Sequence, residues 1–270
     1  MIHISLLPVK EYKIFIHSLL SFLSAFFIVK VLLLFVRYST INFFNGSYEL
    51  NHFEVICTNH PHSSFWTQTT VVSIYGISVV VSFCLYIFSK FLQKRIKLES
   101  LHKLLFCWIQ IILLFQSFGI IVKSILIQQD FYYALLWLYL PPVAIYVIGI
   151  IFLVVYFKLQ YSIFFEFVKI SPSQRLIKTL ENKRLFFIKH CILPVLCGYA
   201  ILFLIHEFEM YIYEIVEFSV CILILSSVLI RKKNKAIKIH KNYTILTFNY
   251  FLLCITIICL GGYLFLSKIL

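Results

Sequence analysis

The residues whose types and spacing could do chemistry are a histidine and several glutamates between two long apolar runs. His206, Glu207 and Glu209 lie in the short polar segment that joins the runs, and Glu214 and Glu217 follow in the second run. A histidine beside carboxylates can act as a general base that takes a proton from a nucleophile. We interpret His206 as such a base for acyl transfer to a lipid hydroxyl, with Glu207 or Glu217 orienting its ring. The candidate catalytic residues are His206, Glu217, Glu214 and Glu207.

The same residues have a second interpretation, in which they mark the solvated end of a helical hairpin. Charged side chains are expected near helix ends at a membrane surface. Glu217 differs, because it lies about a turn deeper in the second run and a charge at the membrane centre costs roughly 2.5–3.5 kcal/mol on insertion scales. We therefore expect Glu217 to have a partner. His206, Lys123 and Lys30 are the candidates, and the sequence alone does not choose among them.

The polar loop after the first apolar run, residues 51–66, holds a second group of reactive side chains. Cys57, His60 and His62 make a zinc site conceivable, but their spacing is not a standard structural zinc pattern. Cys57 has no second loop cysteine for a disulfide, because the other seven cysteines lie in or beside apolar runs. We therefore expect neither a bound metal nor a cofactor.

The elements that must position these residues are long apolar segments. Of the 270 residues, 61% are hydrophobic and 13% are charged, which is more apolar surface than one soluble core can bury. A span needs about 20 mainly apolar residues. We predict a single-domain, all-α transmembrane bundle with a six-span core and a seventh run that also spans. Pro141, Pro142 and Pro194 are expected inside spans, where they would bend helices or free carbonyls that neighbouring helices must satisfy. The predicted spans are 14–36, 69–89, 104–125, 132–157, 187–205, 211–230 and 243–267.

The distribution of basic residues predicts the orientation. Of the 24 Lys and Arg residues, 20 lie in the connections 1–13, 90–103, 158–189 and 231–242, whereas residues 38–89 contain none. By the positive-inside rule the N terminus is cytosolic and the 38–68 loop is lumenal. The same rule accounts for the net charge of +13, so nucleic acid is not expected as a partner. Asn45, in an Asn-Gly-Ser sequon, is then a candidate glycosylation site.

Three stretches of the chain form patterns that a known family shares. They are Cys57-x-Asn59-x-Pro61-x-Ser63 after the first span, Lys183–Ile188 at the start of the fifth, and 205–220. Together they resemble the FRAG/DRAM/Sfk family of small multi-span proteins. The first resembles the family's loop motif, the second its Arg-Leu-Phe entry into the fifth span, and the third its histidine and glutamate hairpin. In this third stretch His206 matches the family's histidine, and Glu217 matches its later glutamate.

The resemblance implies a function in the lipid remodelling of GPI anchors. The implied reaction is reacylation of the lyso-GPI anchor in Golgi and endoplasmic reticulum membranes, with the chain as the acyltransferase or as a required component. Its implied partners are membrane lipids and GPI-anchored proteins. This chain departs from the family pattern, because the segment between His206 and Glu217 is shorter, a cysteine usual there is absent, and a seventh run follows. If the family pairs these loops by a disulfide, Cys57 lacks its partner.

The alternative is a non-enzymatic membrane adaptor of the DRAM or Sfk type, acting in autophagy or phosphoinositide signalling. An adaptor would depend on the basic cytosolic segments 158–189 and 231–241, whereas lipid remodelling would depend on the lumenal face. A seven-span receptor ranks lower, because the N terminus is predicted inside and no DRY-like or NPxxY motif is present. No inverted repeat indicates a transporter.

Overall fold

The computed structural model describes residues 9–51, 54–95, 100–171, 174–205, 212–227, 229, 256–258 and 261. Helices form almost all of the described part. Two of the long helices each contain one π-helical turn, at Phe115–Gly119 and Ile188–Ile192. The α-helices are α1 Val9–Phe43, α2 Gln68–Arg95, α3 Ser100–Leu114, α4 Ile120–Ile127, α5 Phe131–Trp137, α6 Pro142–Val168, α7 Leu180–Phe187, α8 Leu193–Ile205 and α9 Ile212–Ser227.

The described part holds five helices that are long and apolar enough to cross a membrane, as expected of an integral membrane protein. They cover Glu11–Phe43, Gln68–Arg95, His102–Ile127, Pro142–Val168 and Leu180–Leu204. The predicted fold class, an all-α bundle of membrane helices, is therefore confirmed. The sixth predicted span corresponds to the shorter helix α9.

The seventh predicted span, 243–267, lies outside the described residues except for 256–258 and 261. Residues 256–258 are helical. The Thr256 hydroxyl is hydrogen bonded to the Ser24 hydroxyl on α1 at 2.7 Å, and both side chains are buried. This part of the seventh run therefore packs against α1.

The fourth predicted span is wrong in position. The structure ends a short helix at Trp137 and begins α6 at Pro142. The break falls there because Tyr139 adopts a left-handed backbone with φ of 57° and proline is favoured in the first turn of a helix, where its missing N–H costs nothing. Pro141 and Pro142 thus begin a helix and do not bend one. The fourth span extends to Val168, into what we predicted as a basic connection.

The fifth helix also begins earlier than predicted. The Thr179 side chain accepts a hydrogen bond from the backbone N–H of Asn182 at 3.1 Å and so caps α7. With α6 ending at Val168, the predicted connection 158–189 is mostly helical.

Pro194 behaves as predicted. It has no N–H for the carbonyl four residues earlier, that of His190. The Ser18 hydroxyl of α1 donates a hydrogen bond to this carbonyl, and Trp108 Nε1 of α3 donates to Ser18 Oγ at 3.1 Å. All three residues are buried. The neighbouring helices therefore satisfy the carbonyl that the proline frees.

Aromatic side chains fill the core around this network. Phe22 of α1 packs edge-on against Trp108, with ring centroids 5.2 Å apart, and Phe167 of α6 packs against the same indole at 5.8 Å. Gly198 of α8 lies against the Phe22 ring, so a larger residue at this position would displace the ring. Close approach of α1 and α8 thus depends on this glycine.

A short β-hairpin lies between α1 and α2. Strands β1 Tyr48–Asn51 and β2 Glu54–Cys57 pair antiparallel, with Tyr48 opposite Cys57. Val55 of β2 packs in a small cluster with Ile41 of α1 and Ile74 of α2. We predicted only a polar loop here. The end of the bundle that carries this hairpin and the 128–130 turn is called the hairpin end below.

Candidate functional site

The deep glutamate is held by two lysines from two other helices. Glu217 of α9 places Oε1 3.3 Å from Nζ of Lys30 on α1 and Oε2 3.2 Å from Nζ of Lys123 on α4. The exposed fractions of the three side chains are 6%, 10% and 1%. Both lysines that we considered as partners therefore contact the carboxylate.

This cluster joins three charged side chains from three helices. Two ammonium groups contact the same carboxylate. Burying charges is costly, and mutual attraction offsets that cost only when the groups are in direct contact. Each carboxylate oxygen of Glu217 contacts a different ammonium group, so the carboxylate is fully engaged.

A cavity opens beside the two lysines at the hairpin end. Its volume of about 60 Å³ is room for roughly four water molecules at about 15 Å³ each. On α1 its wall is formed at positions 30, 33, 34 and 37, which is one face of a helix and extends about 10 Å at 1.5 Å per residue. The residues that line it are Lys30, Leu33, Leu34, Arg37, Val55, Ile74, Tyr75, Ser78, Val79, Gln116, Ile120, Lys123 and Asp130.

A second ion pair forms the rim of this cavity. Arg37 Nη2 lies 3.4 Å from Asp130 Oδ1, and the guanidinium lies over the Tyr75 ring at 5.2 Å from its centroid. Asp130 precedes α5 in a left-handed conformation, with φ of 53°. The Arg37 Nε is buried and has no hydrogen-bond partner among the described residues. The guanidinium is thus held between the Asp130 carboxylate and the Tyr75 ring.

The π-helical turn Phe115–Gly119 lies in the wall of the cavity. It places the buried Gln116 on the lining, and Ile120 and Lys123 follow on the same face. A Cβ atom on Gly119 would lie 2.5 Å from the Phe115 ring, so this wide turn favours a glycine. Such turns in α-helices occur frequently at functional sites.

The loop motif is held by the side chain of Asn59. Its Oδ1 accepts hydrogen bonds from the Ser47 backbone N–H at 2.8 Å and from Cys57 Sγ at 3.1 Å. Cys57 is a free thiol, and its partial burial raises its pKa above the ordinary value. Pro61 follows in a turn, and the Ser63 N–H donates to the His60 carbonyl at 2.9 Å. The motif therefore shapes the loop next to β2.

The remaining candidates are distributed as follows. His206 and Glu207 lie outside the described residues, and Glu214 lies on α9 one turn before Glu217. Asn45 is exposed, in a left-handed turn after α1 with φ of 56°. The rings of His60 and His62 have centroids 5.6 Å apart. In the described part of the chain, no three His, Cys, Asp or Glu residues form a group that could hold a metal ion.

Three lining residues were not among the sequence candidates. Arg37 looked like an ordinary basic residue at the end of a span, Asp130 like a loop acid, and Gln116 like an isolated polar residue in an apolar run. The only signal was that Arg37 is the last basic residue before a stretch of 52 residues, 38–89, that has none.

The chemistry that this end can supply is cationic. Lys30, Arg37 and Lys123 line the cavity, and such groups bind anions or stabilise negative charge that develops in a reaction. Glu217 holds two of these cations in place.

No protein-family model, no curated protein and no solved structure matches this chain.

Proposed function

We propose that this protein takes part in remodelling the lipid of GPI anchors, by reacylation of the lyso-GPI anchor, as the acyltransferase or as a required component. One observation carries the proposal. Two of the stretches that resemble the FRAG/DRAM/Sfk family lie far apart in sequence, and both are next to residues that line one cavity. β2, which leads into the Cys57 motif, contributes Val55 to the lining, and Glu217 of α9 holds two lining lysines.

The proposed location follows from the orientation. With the N terminus cytosolic, the hairpin end faces the lumen of the Golgi or endoplasmic reticulum, where GPI anchors are displayed. Glu217 lies five residues into α9, which is about 8 Å along the helix. Its cluster is thus near the depth at which lipid head groups meet acyl chains. A lipid whose head group enters the cavity would keep its chains among the helices.

The proposed catalysis assigns separate functions to these residues. His206, which follows the last residue of α8 in the sequence, would take the proton of the lipid hydroxyl as that oxygen bonds to the acyl carbon of the donor. It would return the proton to the leaving group as the bond between the acyl carbon and its carrier breaks. Lys30 and Lys123 would stabilise the negative charge that develops on the acyl oxygen. Glu217 would act as a positioning residue, because it keeps both ammonium groups at the cavity.

The test is complementation of cells that lack post-GPI-attachment-to-proteins factor 2, within this family the protein whose activity we propose. Surface GPI-anchored proteins are measured by flow cytometry after expression of the native chain. A charge-free variant with Lys30→Met, Lys123→Met and Glu217→Leu removes all three charges of the cluster together. His206→Ala tests the proposed base separately.

The matched control removes an ion pair at the opposite end. Lys189 and Glu11 are paired at 3.0 Å, and Lys189→Met with Glu11→Leu removes them. We expect rescue by the native chain and by this control, and no rescue by the charge-free variant. Rescue by a charge-free variant expressed at the normal level would reject the cluster as the functional centre. A native chain that reaches the Golgi without rescue would reject lipid remodelling and favour the adaptor function.

A further inference from the structure

The charged side chains that line the hairpin-end cavity each contact a group of opposite charge. Lys30 and Lys123 contact the two carboxylate oxygens of Glu217. Arg37 contacts Asp130 on the rim. A buried charge that loses its partner is strongly destabilised. The groups that could bind a ligand without breaking an ion pair are therefore the neutral polar side chains of the lining.

Three such neutral groups line the cavity, and none of them has a side-chain hydrogen bond to another described residue. They are the hydroxyls of Tyr75 and Ser78 on α2 and the amide of Gln116 in the π-helical turn. Tyr75 and Ser78 are three positions apart and so lie on one face of α2. The π-helical turn packs against this helix.

The three groups are open to the cavity. The side-chain atoms that are fully buried without a partner, in the described part of the chain, include none from these residues. Tyr75 and Ser78 are partly exposed, and Gln116 is 3% exposed where it lines the cavity. An unpaired polar group inside a bundle is unfavourable, so water or a ligand has to supply the missing hydrogen bonds.

The chemistry of these groups indicates the kind of ligand. Hydroxyl and carboxamide groups both donate and accept hydrogen bonds, whereas a carbonyl oxygen only accepts and an ammonium group only donates. An alcohol hydroxyl on the ligand also does both. It is therefore the group that can use Tyr75, Ser78 and Gln116 together.

The remaining lining indicates the molecule that carries this hydroxyl. The cavity has room for roughly four water molecules, which accommodates a hydroxyl and the carbons next to it. The helices around it are apolar and long enough to cross a membrane, so a ligand with hydrocarbon chains is expected there. Six further lining residues are apolar, namely Leu33, Leu34, Val55, Ile74, Val79 and Ile120.

We propose that Tyr75, Ser78 and Gln116 bind the free glycerol hydroxyl of a monoacyl phospholipid and thereby distinguish it from diacyl phospholipids. In a diacyl lipid this oxygen is esterified, so it has no proton to donate, and a second chain adds bulk. The choice of a phospholipid rests on the proposed function, whereas the hydroxyl site is carried by the three unpaired groups and the cavity. The hydroxyl is thus held next to Lys30 and Lys123.

The experiment measures binding to the purified full-length chain in nanodiscs of diacyl phosphatidylcholine, followed by the midpoint of thermal unfolding. The probes are lysophosphatidylcholine, its analogue with hydrogen in place of the free hydroxyl, and a short-chain diacylglycerol, which has a free hydroxyl and no phosphate. We expect lysophosphatidylcholine to raise the midpoint with saturation and the analogue to bind about tenfold more weakly. Equal effects of these two would overturn the hydroxyl site. Diacylglycerol that binds as tightly as lysophosphatidylcholine would overturn the monoacyl phospholipid as the source.

Two leucine substitutions in one long helix separate binding from folding. Gln116→Leu removes the amide, and we expect about tenfold weaker binding of lysophosphatidylcholine. The midpoint of the ligand-free protein should stay the same or rise, because no hydrogen bond is lost. Gln110→Leu is the matched control, since it breaks a hydrogen bond to Gln93 at 2.9 Å and should lower the midpoint without changing the affinity. Unchanged affinity of Gln116→Leu would overturn the site.

The hydroxyls of α2 are tested by Tyr75→Phe together with Ser78→Ala. The Phe ring keeps its position under the Arg37 guanidinium, so the change is confined to the two hydroxyls, and we expect severalfold weaker binding. Tyr133→Phe is the control, because its ring lies 6.0 Å from that of Tyr75, between centroids, but does not line the cavity. Native affinity in the double variant would overturn the assignment of the α2 hydroxyls.

The outcome also separates this inference from the proposed function. Lysophosphatidylcholine binding that responds to Gln116→Leu, in a chain that fails to restore surface GPI-anchored proteins, would reject GPI remodelling and keep the site. Equal rescue of the cells by the native chain and by Gln116→Leu, with no binding of lysophosphatidylcholine to either, would reject the site and keep the remodelling function.

Discussion

Helix α1 takes part in two buried polar networks of opposite character. In its first half, the Ser18 hydroxyl links the Trp108 indole N–H to the His190 carbonyl, and every group in that chain is neutral. Twelve residues further along, about 18 Å at 1.5 Å per residue, Lys30 joins Lys123 and Glu217 in a charged cluster. The first network is enclosed by aromatic rings, whereas the second borders a cavity.

The difference separates a structural network from a functional candidate. The neutral network satisfies a free backbone group. Pro194 leaves the His190 carbonyl without a donor from its own helix, and the Ser18 hydroxyl donates to that carbonyl in its place. The charged cluster contacts side chains only and borders a cavity. Buried ion pairs are often no more stabilising than apolar residues of the same size, and charges inside a membrane protein commonly mark function.

The largest expected effect is from Glu217→Gln. This change removes the carboxylate that both Lys30 and Lys123 contact, and we expect a loss of about 3–5 kcal/mol in the free energy of unfolding. Reversible denaturation in mixed micelles measures it. The charge-free triple variant should recover most of this loss, because it removes all three charges together. Equal stability of Glu217→Gln and the native chain would show that the three charges do not interact as described.

Ser18→Ala should have an intermediate effect. It leaves the His190 carbonyl and the Trp108 N–H without partners in the core, and we expect a loss of about 1–3 kcal/mol. Ser21→Ala is the matched control, because Ser21 is also fully buried on α1 and its hydroxyl has no partner among the described residues. Cellular rescue should survive Ser18→Ala at normal expression. Failure of rescue there would remove the distinction between the two networks.

Asp130→Asn should change stability less. The carboxylate is 28% exposed and its contact with Arg37 is long, so we expect a loss of about 1 kcal/mol or less, which decreases at high salt. The comparison is Glu166→Gln, which breaks the exposed pair with Lys169 at the opposite end. Unfolding measured at low and high ionic strength tests both. A loss as large as that of Glu217→Gln would place Asp130 inside the charged cluster.

The smallest effect on stability is expected for Asn45→Gln, because Asn45 is exposed. If the hairpin end is lumenal, the native chain expressed in a eukaryotic cell carries a glycan at Asn45, and the variant migrates faster on a gel. Removal of glycans by an endoglycosidase should abolish that difference. Asn242 begins a second sequon, Asn-Tyr-Thr, on the predicted cytosolic side. Modification at Asn242 with none at Asn45 would reverse the orientation, and the charged cluster would then face the cytosol.

The local sequence was enough to predict the helical elements. It also showed which single residues need a partner from another helix. Runs of about 20 apolar residues were enough to place the first three spans. The depth of Glu217 in its run required a counter-charge, and Lys30 and Lys123 were among three candidates. Pro194 required an outside donor for a carbonyl. These inferences hold because each depends on the chemistry of one residue and its immediate neighbours.

The tertiary structure alone decided which residues meet. Glu217 pairs with both lysines across three helices, and Arg37 meets Asp130 across 93 positions of sequence. Such contacts depend on which helix faces pack together and at what height, which apolar runs without strong periodicity do not specify. The same holds for the cavity and for the two π-helical turns. The cationic site therefore exists only in the assembled bundle, although the charges that form it are visible in the sequence.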